Sequence, residues 1–191
     1  LTSGINFGST LTISDMNILH LGSFFTAFDH SSRDSIQHKL PVEYHMTSND
    51  NKRGWNLDAS IIHALKFSDD NSLTTTAAFS QSGEHQKEIN DRNSNGTGPD
   101  DHSHIYQDDA IETREFESVY KNEFPWFGLI QGGASYQSLS INSELEYLHA
   151  PYGFDFNEQV SSGYFRVQKS LKSIPSSLSA GIRIEQRKTS T

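Results

Sequence analysis

Asp91, Asn93, Asn95 and Gly96 stand as Asp-x-Asn-x-Asn-Gly, the spacing with which oxygen side chains and a tight glycine turn open a calcium-binding loop. The twelfth position of such a loop needs a bidentate glutamate and here holds His102. The segment is therefore read as a polar turn, with no metal ligands assigned. Beside it, Asp100, Asp101, His102, Ser103 and His104 gather carboxylates and imidazoles, types that could hold a transition metal or exchange a proton. Histidines at i and i+2 share one side of an extended chain, yet no third ligand follows at a strand or helix spacing, so a solvated loop is expected. Ser135, Ser138, His63, His149 and Asp155 supply the residue types of a serine hydrolase, without a nucleophile elbow or an ordered triad. No catalytic, cofactor-binding or metal-ligating residue is assigned, no cofactor is expected, and the chain is not expected to be an enzyme.

The elements that must carry these residues are strands. A chain of 191 residues suits one domain over its whole length. Its apolar share of 34% and mean hydropathy of −0.61 are poor for a helical globule, whereas 11% aromatic residues suit a barrel or sandwich. Without cysteine, disulfides and thiolate metal sites are excluded. A net charge of −9 with no basic stripe argues against nucleic acid as a partner. No run of about 18 apolar residues occurs, which excludes a membrane-spanning helix and says nothing of membrane strands. Leu1 follows no basic or apolar leader, which is uninformative about export.

Alternation with a period of two, the mark of a strand with unlike faces, recurs along the chain. Ile5, Phe7, Leu11 and Ile13 oppose Asn6, Gly8, Thr10 and Thr12. A second stretch runs from Ile18 to Phe28, and a third sets Leu40, Val42, Tyr44 and Met46 against Pro41, Glu43 and His45, with Pro41 suited to a strand start or edge. The longest places Trp55, Leu57, Ala59, Ile61, Leu65 and Phe67 opposite Asn56, Asp58, Ser60 and Lys66. His63 interrupts the apolar side and is read as a local register shift. Ser68 to Asn71 has turn composition and closes a hairpin with Leu73, Ala77 and Phe79. Residues 82–112 are almost bare of apolar side chains and are expected to form a long polar external loop. Phe116, Tyr120 and Phe124 favour a strand over a helix. Trp126 to Tyr136 resumes alternation, and Leu139 to Gln159 is read as a strand pair around a Pro151 to Gly153 turn. Phe165, Val167 and Leu171, then Leu178, Ala180, Ile182 and Ile184, mark two closing strands.

Strand length decides which way the apolar faces look. Trp55 to Phe67 covers roughly 40 Å at ~3.3 Å per residue, projecting to about 30 Å at a tilt of ~40°, with aromatic residues at both ends. Soluble strands are commonly about 5 or 6 residues long. Asn56, Asp58, Lys66, Arg166, Gln168, Arg183 and Glu185 on the opposite faces suit an aqueous lumen. The fold expected is an all-β, antiparallel, up-and-down barrel of transmembrane type, with an exported soluble barrel or sandwich around Leu57, Ile61, Ala77 and Ile182, binding a small ligand or a protein, as the alternative.

The run from Gly4-Ile-Asn-Phe-Gly8 through Ser14-Asp15 to Leu21-Gly22-Ser23-Phe24, then Leu40-Pro41-Val42-Glu43-Tyr44 and Gly54-Trp55, resembles the opening of the solitary outer-membrane autotransporter-like β-barrels of Gram-negative bacteria. The resemblance covers the first 70 residues best. It implies about 10–12 strands, no secreted passenger, no established chemistry, and a role in the cell outer membrane as a pore or structural surface protein. The partners implied are outer-membrane lipid and small solutes in the lumen. Only about nine or ten strands are counted by alternation, and Arg187-Lys188-Thr189-Ser190-Thr191 lacks the family's terminal aromatic. Two expectations are left open: a chain truncated before its last strands, or a resemblance that does not hold for the whole chain. Short turns at Ser68–Asn71 and Phe124–Trp126 place the 82–112 loop on the exterior, although the first two hairpins do not alternate in step with that assignment.

Overall fold

The computed structural model describes residues 1–38, 44–94, 101–147, 150–171 and 176–191. Every element among them is a strand: β1 (Thr2–Ser14), β2 (Asn17–His38), β3 (Tyr44–Ser68), β4 (Asn71–Ser94), β5 (Asp101–Phe124), β6 (Gly128–Tyr147), β7 (Ala150–Leu171) and β8 (Ser176–Ser190). They form one antiparallel sheet in sequence order, the up-and-down wall expected from alternation. The described residues hold eight strands rather than ten to twelve, because segments that read as separate strands merge. Tyr44 to Met46, read as the end of a third strand, begins the 25-residue β3 that also carries Trp55 to Phe67. Residues 40–43 of that third segment, Pro41 included, lie outside the described residues. Among the described residues β1 does not pair with β8.

With β3 whole, the hairpins fall into step. The turns Asp15-Met16, Asp69-Asp70 and Pro125–Phe127 all lie at one end of the sheet. The links 39–43, 95–100 and 148–149 join strands at the other. The last short turn closes on Gly128 at φ 86°, a left-handed conformation that an L side chain resists.

The expected loop over 82–112 is corrected by the structure. Ser82 to Ser94 continue β4 and Asp101 to Glu112 belong to β5, paired from Ser82↔Ile111 to Arg92↔Asp101. Alternation marks a strand only when one face meets an apolar medium. Here both faces are polar, and the ladder is held by backbone hydrogen bonds with local links such as Gln86 Nε2 to Asp50 Oδ1 at 3.2 Å. The Pro151–Gly153 turn is likewise corrected, since these residues lie inside β7 and pair with Glu146 to Glu144. The strand reading of Phe116 to Phe124 holds in β5.

The register sorts the side chains onto two faces without ambiguity, because directly paired residues point the same way. One face carries Leu11, Leu21, Ile61, Ala77, Phe116, Tyr136, Phe165 and Ile182. The other carries Asn56, Asp58, Lys66, Arg166, Gln168, Arg183 and Glu185. Among the described residues no second layer covers either one. Among the described residues no hydrophobic side chain is buried, Ile61 at mid-face is 40% exposed, and the sole buried residue is Ser162 at 8%.

The apolar band is slanted. On β1 it centres near Ser9, whose row runs Leu21, Ile61, Ala77, Phe116, Tyr136, Ser161, Gln186. On β8 it spans Leu178 to Ile184. The centre thus drifts about five residues toward the short-turn end across seven strand steps, roughly 17 Å over 34 Å, a tilt of about 27°. Three cross-strand pairs set an aromatic ring over a glycine: Phe28 on Gly54, Trp55 on Gly83 and Tyr164 on Gly133. A Cβ at Gly83 would lie 2.7 Å from the Trp55 indole nitrogen, and one at Gly133 would lie 2.7 Å from the Tyr164 ring.

Candidate functional site

The residues singled out for chemistry are scattered by the register. Asp91 and Asn93 sit in the extended β4, which cannot wrap an ion, and Asn95 and Gly96 lie outside the described residues. Asp101 to His104 are in β5 and Asp100 lies outside. His104 stacks on Tyr106 with ring centres 6.3 Å apart. Among the described residues no group of three metal-ligating side chains forms.

The hydrolase types do not converge either. Ser135 is on the polar face, where its hydroxyl is 2.8 Å from that of Ser162. Ser138, His63 and Asp155 are on the other face, Asp155 accepting from Asn142 Nδ2 at 2.6 Å, and His149 lies outside the described residues. His63 and Ser135 are three strands apart, roughly 14 Å, on opposite faces. His63 causes no register shift: its row, Leu19↔His63↔Thr75, is regular, and the irregularity falls between Lys66 and Ser68. The imidazole instead donates from Nε2 to Asn17 Oδ1 at 2.8 Å, a partner that sequence spacing could not reveal.

What the fold assembles is the polar face itself. Toward the middle and far end its charges are mainly acidic: Asp50, Asp58, Glu84, Glu88, Asp109 and Glu115. They are held by short links, among them Lys52 Nζ to Glu84 at 2.5 Å, Asn56 Nδ2 to Asp58 at 2.7 Å and Gln137 Nε2 to Glu115 at 3.0 Å. Toward the short-turn end the face becomes basic. Lys66, Lys121 and Arg166 lie in a single hydrogen-bonded row that ends at Gly181, and Arg183 lies two residues along β8 from it, away from the short-turn end. Arg183 is partnered by Glu185 at 3.1 Å. Beside the row is an open groove lined by Glu117, Gln131, Tyr164, Arg166, Gly181 and Arg183, in which Gln131 Nε2 donates to the Tyr164 hydroxyl at 3.1 Å.

On β5 to β7 the two faces exchange character along the strands. Beyond Arg114 the formerly apolar face carries Glu112, Asn142, Glu144 and Asp155, while Ile111, Leu139, Ile141 and Phe156 lie on the other. This inversion is why Leu139 to Gln159 lacks a clean alternation in sequence.

No family model matches the chain, and no curated protein matches it. Among solved structures, three outer-membrane proteins align with the chain, and the chain spans less than half the length of each. The ferric citrate transporter FecA, in its unliganded form, matches over 87% of this chain and 26% of its own, at 8% identity and a TM-score of 0.49. The siderophore receptor PirA from Pseudomonas aeruginosa covers 97% of this chain and 37% of its own, at 11% identity and a TM-score of 0.22. The siderophore receptor PiuA from Acinetobacter baumannii covers 98% and 44%, at 7% identity and a TM-score of 0.16.

Proposed function

We propose that the chain forms part of the wall of an outer-membrane β-barrel, its apolar band against lipid and its polar face toward an aqueous lumen, and that it acts as a pore or structural surface protein without covalent chemistry. One observation carries this reading: an eight-stranded sheet with a continuous apolar face and no buried hydrophobic side chain among the described residues. In water such a face needs a second layer to cover it; in a bilayer, lipid covers it. The slant of the band supports tilted spanning strands, and short turns at one end with longer strand extensions at the other are the asymmetry of outer-membrane barrels. The extensions then face the exterior. The opening motifs around Gly4–Gly8 and Gly54-Trp55 favour a translocator-like wall lacking a passenger.

The test is physical. The expressed chain is expected to partition into the detergent phase and to migrate differently on a gel before and after heating. Recovery as a monodisperse monomer in detergent-free buffer overturns the reading.

A further inference from the structure

We infer that the polar face carries a binding strip for oxyanionic solutes, bearing phosphate- or carboxylate-type charge, near its short-turn end. The inference rests on the lumen reading above and names the solute class that the wall would favour. Its core is the row Lys66, Ser72, Lys121, Gln131, Arg166, Gly181. The row contains three cations and no carboxylate, in a chain whose net charge is −9. The three are exposed, and among the described residues none forms an ion pair. They alternate with neutral residues two strands apart, so neighbouring cations stand roughly 10 Å from one another. That is about one Debye length at ~0.1 M salt, so their fields add along the wall most strongly at low ionic strength.

The groove beside Arg166 supplies the rest of a site. Gln131 and Tyr164 offer neutral donors, while Arg183, also lining the groove, is already paired with Glu185. Gly181, directly across from Arg166, leaves the guanidinium stem uncovered, since a Cβ there would lie 3.4 Å from Arg166 Cβ. Carboxylates bound the strip: Glu123 with Asp70 beside it on the short-turn side, and Glu117, at the far wall of the groove two same-face rows from Lys121, so that an anion is held at the row itself. A planar guanidinium flanked by amide and hydroxyl donors matches an oxyanion better than a halide.

The protein refolded in detergent micelles is titrated calorimetrically with inorganic pyrophosphate at low ionic strength. Saturable binding is expected, weakened about threefold by each of Lys66→Gln, Lys121→Gln and Arg166→Gln, as single solvent-exposed charge contacts are, and abolished in the triple variant. Arg53→Gln, which removes the same charge from the opposite face, is expected to bind as the parent does. Absence of binding, equal binding by the triple variant, or equal loss in the Arg53 control overturns the inference. Detergent partition and heat-modifiable migration of the same samples report separately on the membrane reading, so a folded, partitioning protein that ignores pyrophosphate sinks the strip alone.

Discussion

Glycines at three cross-strand positions act by what lies over them. The Trp55 indole and the Tyr164 ring occupy the space that a Cβ at Gly83 or Gly133 would need, which lets a large ring lie flat across the neighbouring strand and pin the register. Gly83→Val is expected to destabilise the folded state by about 1–3 kcal/mol through this overpacking, read as a lower urea midpoint by Trp55 fluorescence in micelles. A matched Gly153→Val, where nothing lies within 4 Å of a new Cβ, is expected to shift the midpoint far less. His63 shows the same dependence on a neighbouring strand. Asn17→Ala strips the imidazole of its acceptor in an apolar surrounding and should cost about 1–3 kcal/mol. The double variant Asn17→Ala/His63→Leu, which leaves no polar group unpaired, should recover most of it. An additive double variant would show that the 2.8 Å contact contributes nothing to stability.

At the level of elements, the long strands β3 and β4 each have a half with one apolar face and a half that is polar on both faces. The 25 residues of β3 extend roughly 80 Å, far beyond an apolar band about 25 Å tall. The charged pairs on its apolar-face side, such as Arg53 to Asp29 at 3.5 Å, begin just beyond Trp55. Depth therefore governs tolerance. Ile61→Arg or Ala77→Arg at mid-band should cost about 2–4 kcal/mol in vesicles, falling to about 0–1 near the band's edge at Ala27. Ser60→Arg, on the polar face one residue away, should be nearly silent. Equal penalties at Ile61 and Ser60, measured by equilibrium refolding into vesicles, would argue that neither face meets lipid.

Across the whole molecule, the sheet is open at β1 and β8 among the described residues. Their outward amides lack the ladder partners that every amide in β3 to β6 can find on one side or the other. Hydrogen exchange of this chain in micelles is expected to be fast along those two edges and slow in the central ladders. Uniform protection across all eight strands would mean that β1 and β8 find partners, by closure or by pairing between copies.

Much of this architecture was legible beforehand, because a period of two is a local property. The faces of β1, β3 and β8, the turn at Ser68 to Asn71, and the polar character of Asn56, Asp58, Lys66, Arg166 and Arg183 follow from the order of residues alone. The polar half of the β4–β5 hairpin was not legible, since a strand with water on both faces has no alternation to show, and composition there suggests a loop. The candidate site was legible only in fragments. Lys66 and Arg166 read as lumen residues, but Lys121 falls in a strand whose outward and inward sets exchange along its length. Nothing in the order of residues says that these three share a row. Alternation is set by bonds along the chain, whereas a row is set by register across it, and register is a product of turn geometry, bulges and side-chain fit between strands. The sequence by itself therefore determined the two-faced strands and the chemistry of each face. Only the tertiary structure decided which charges stand side by side, because that requires six strands to be aligned at once.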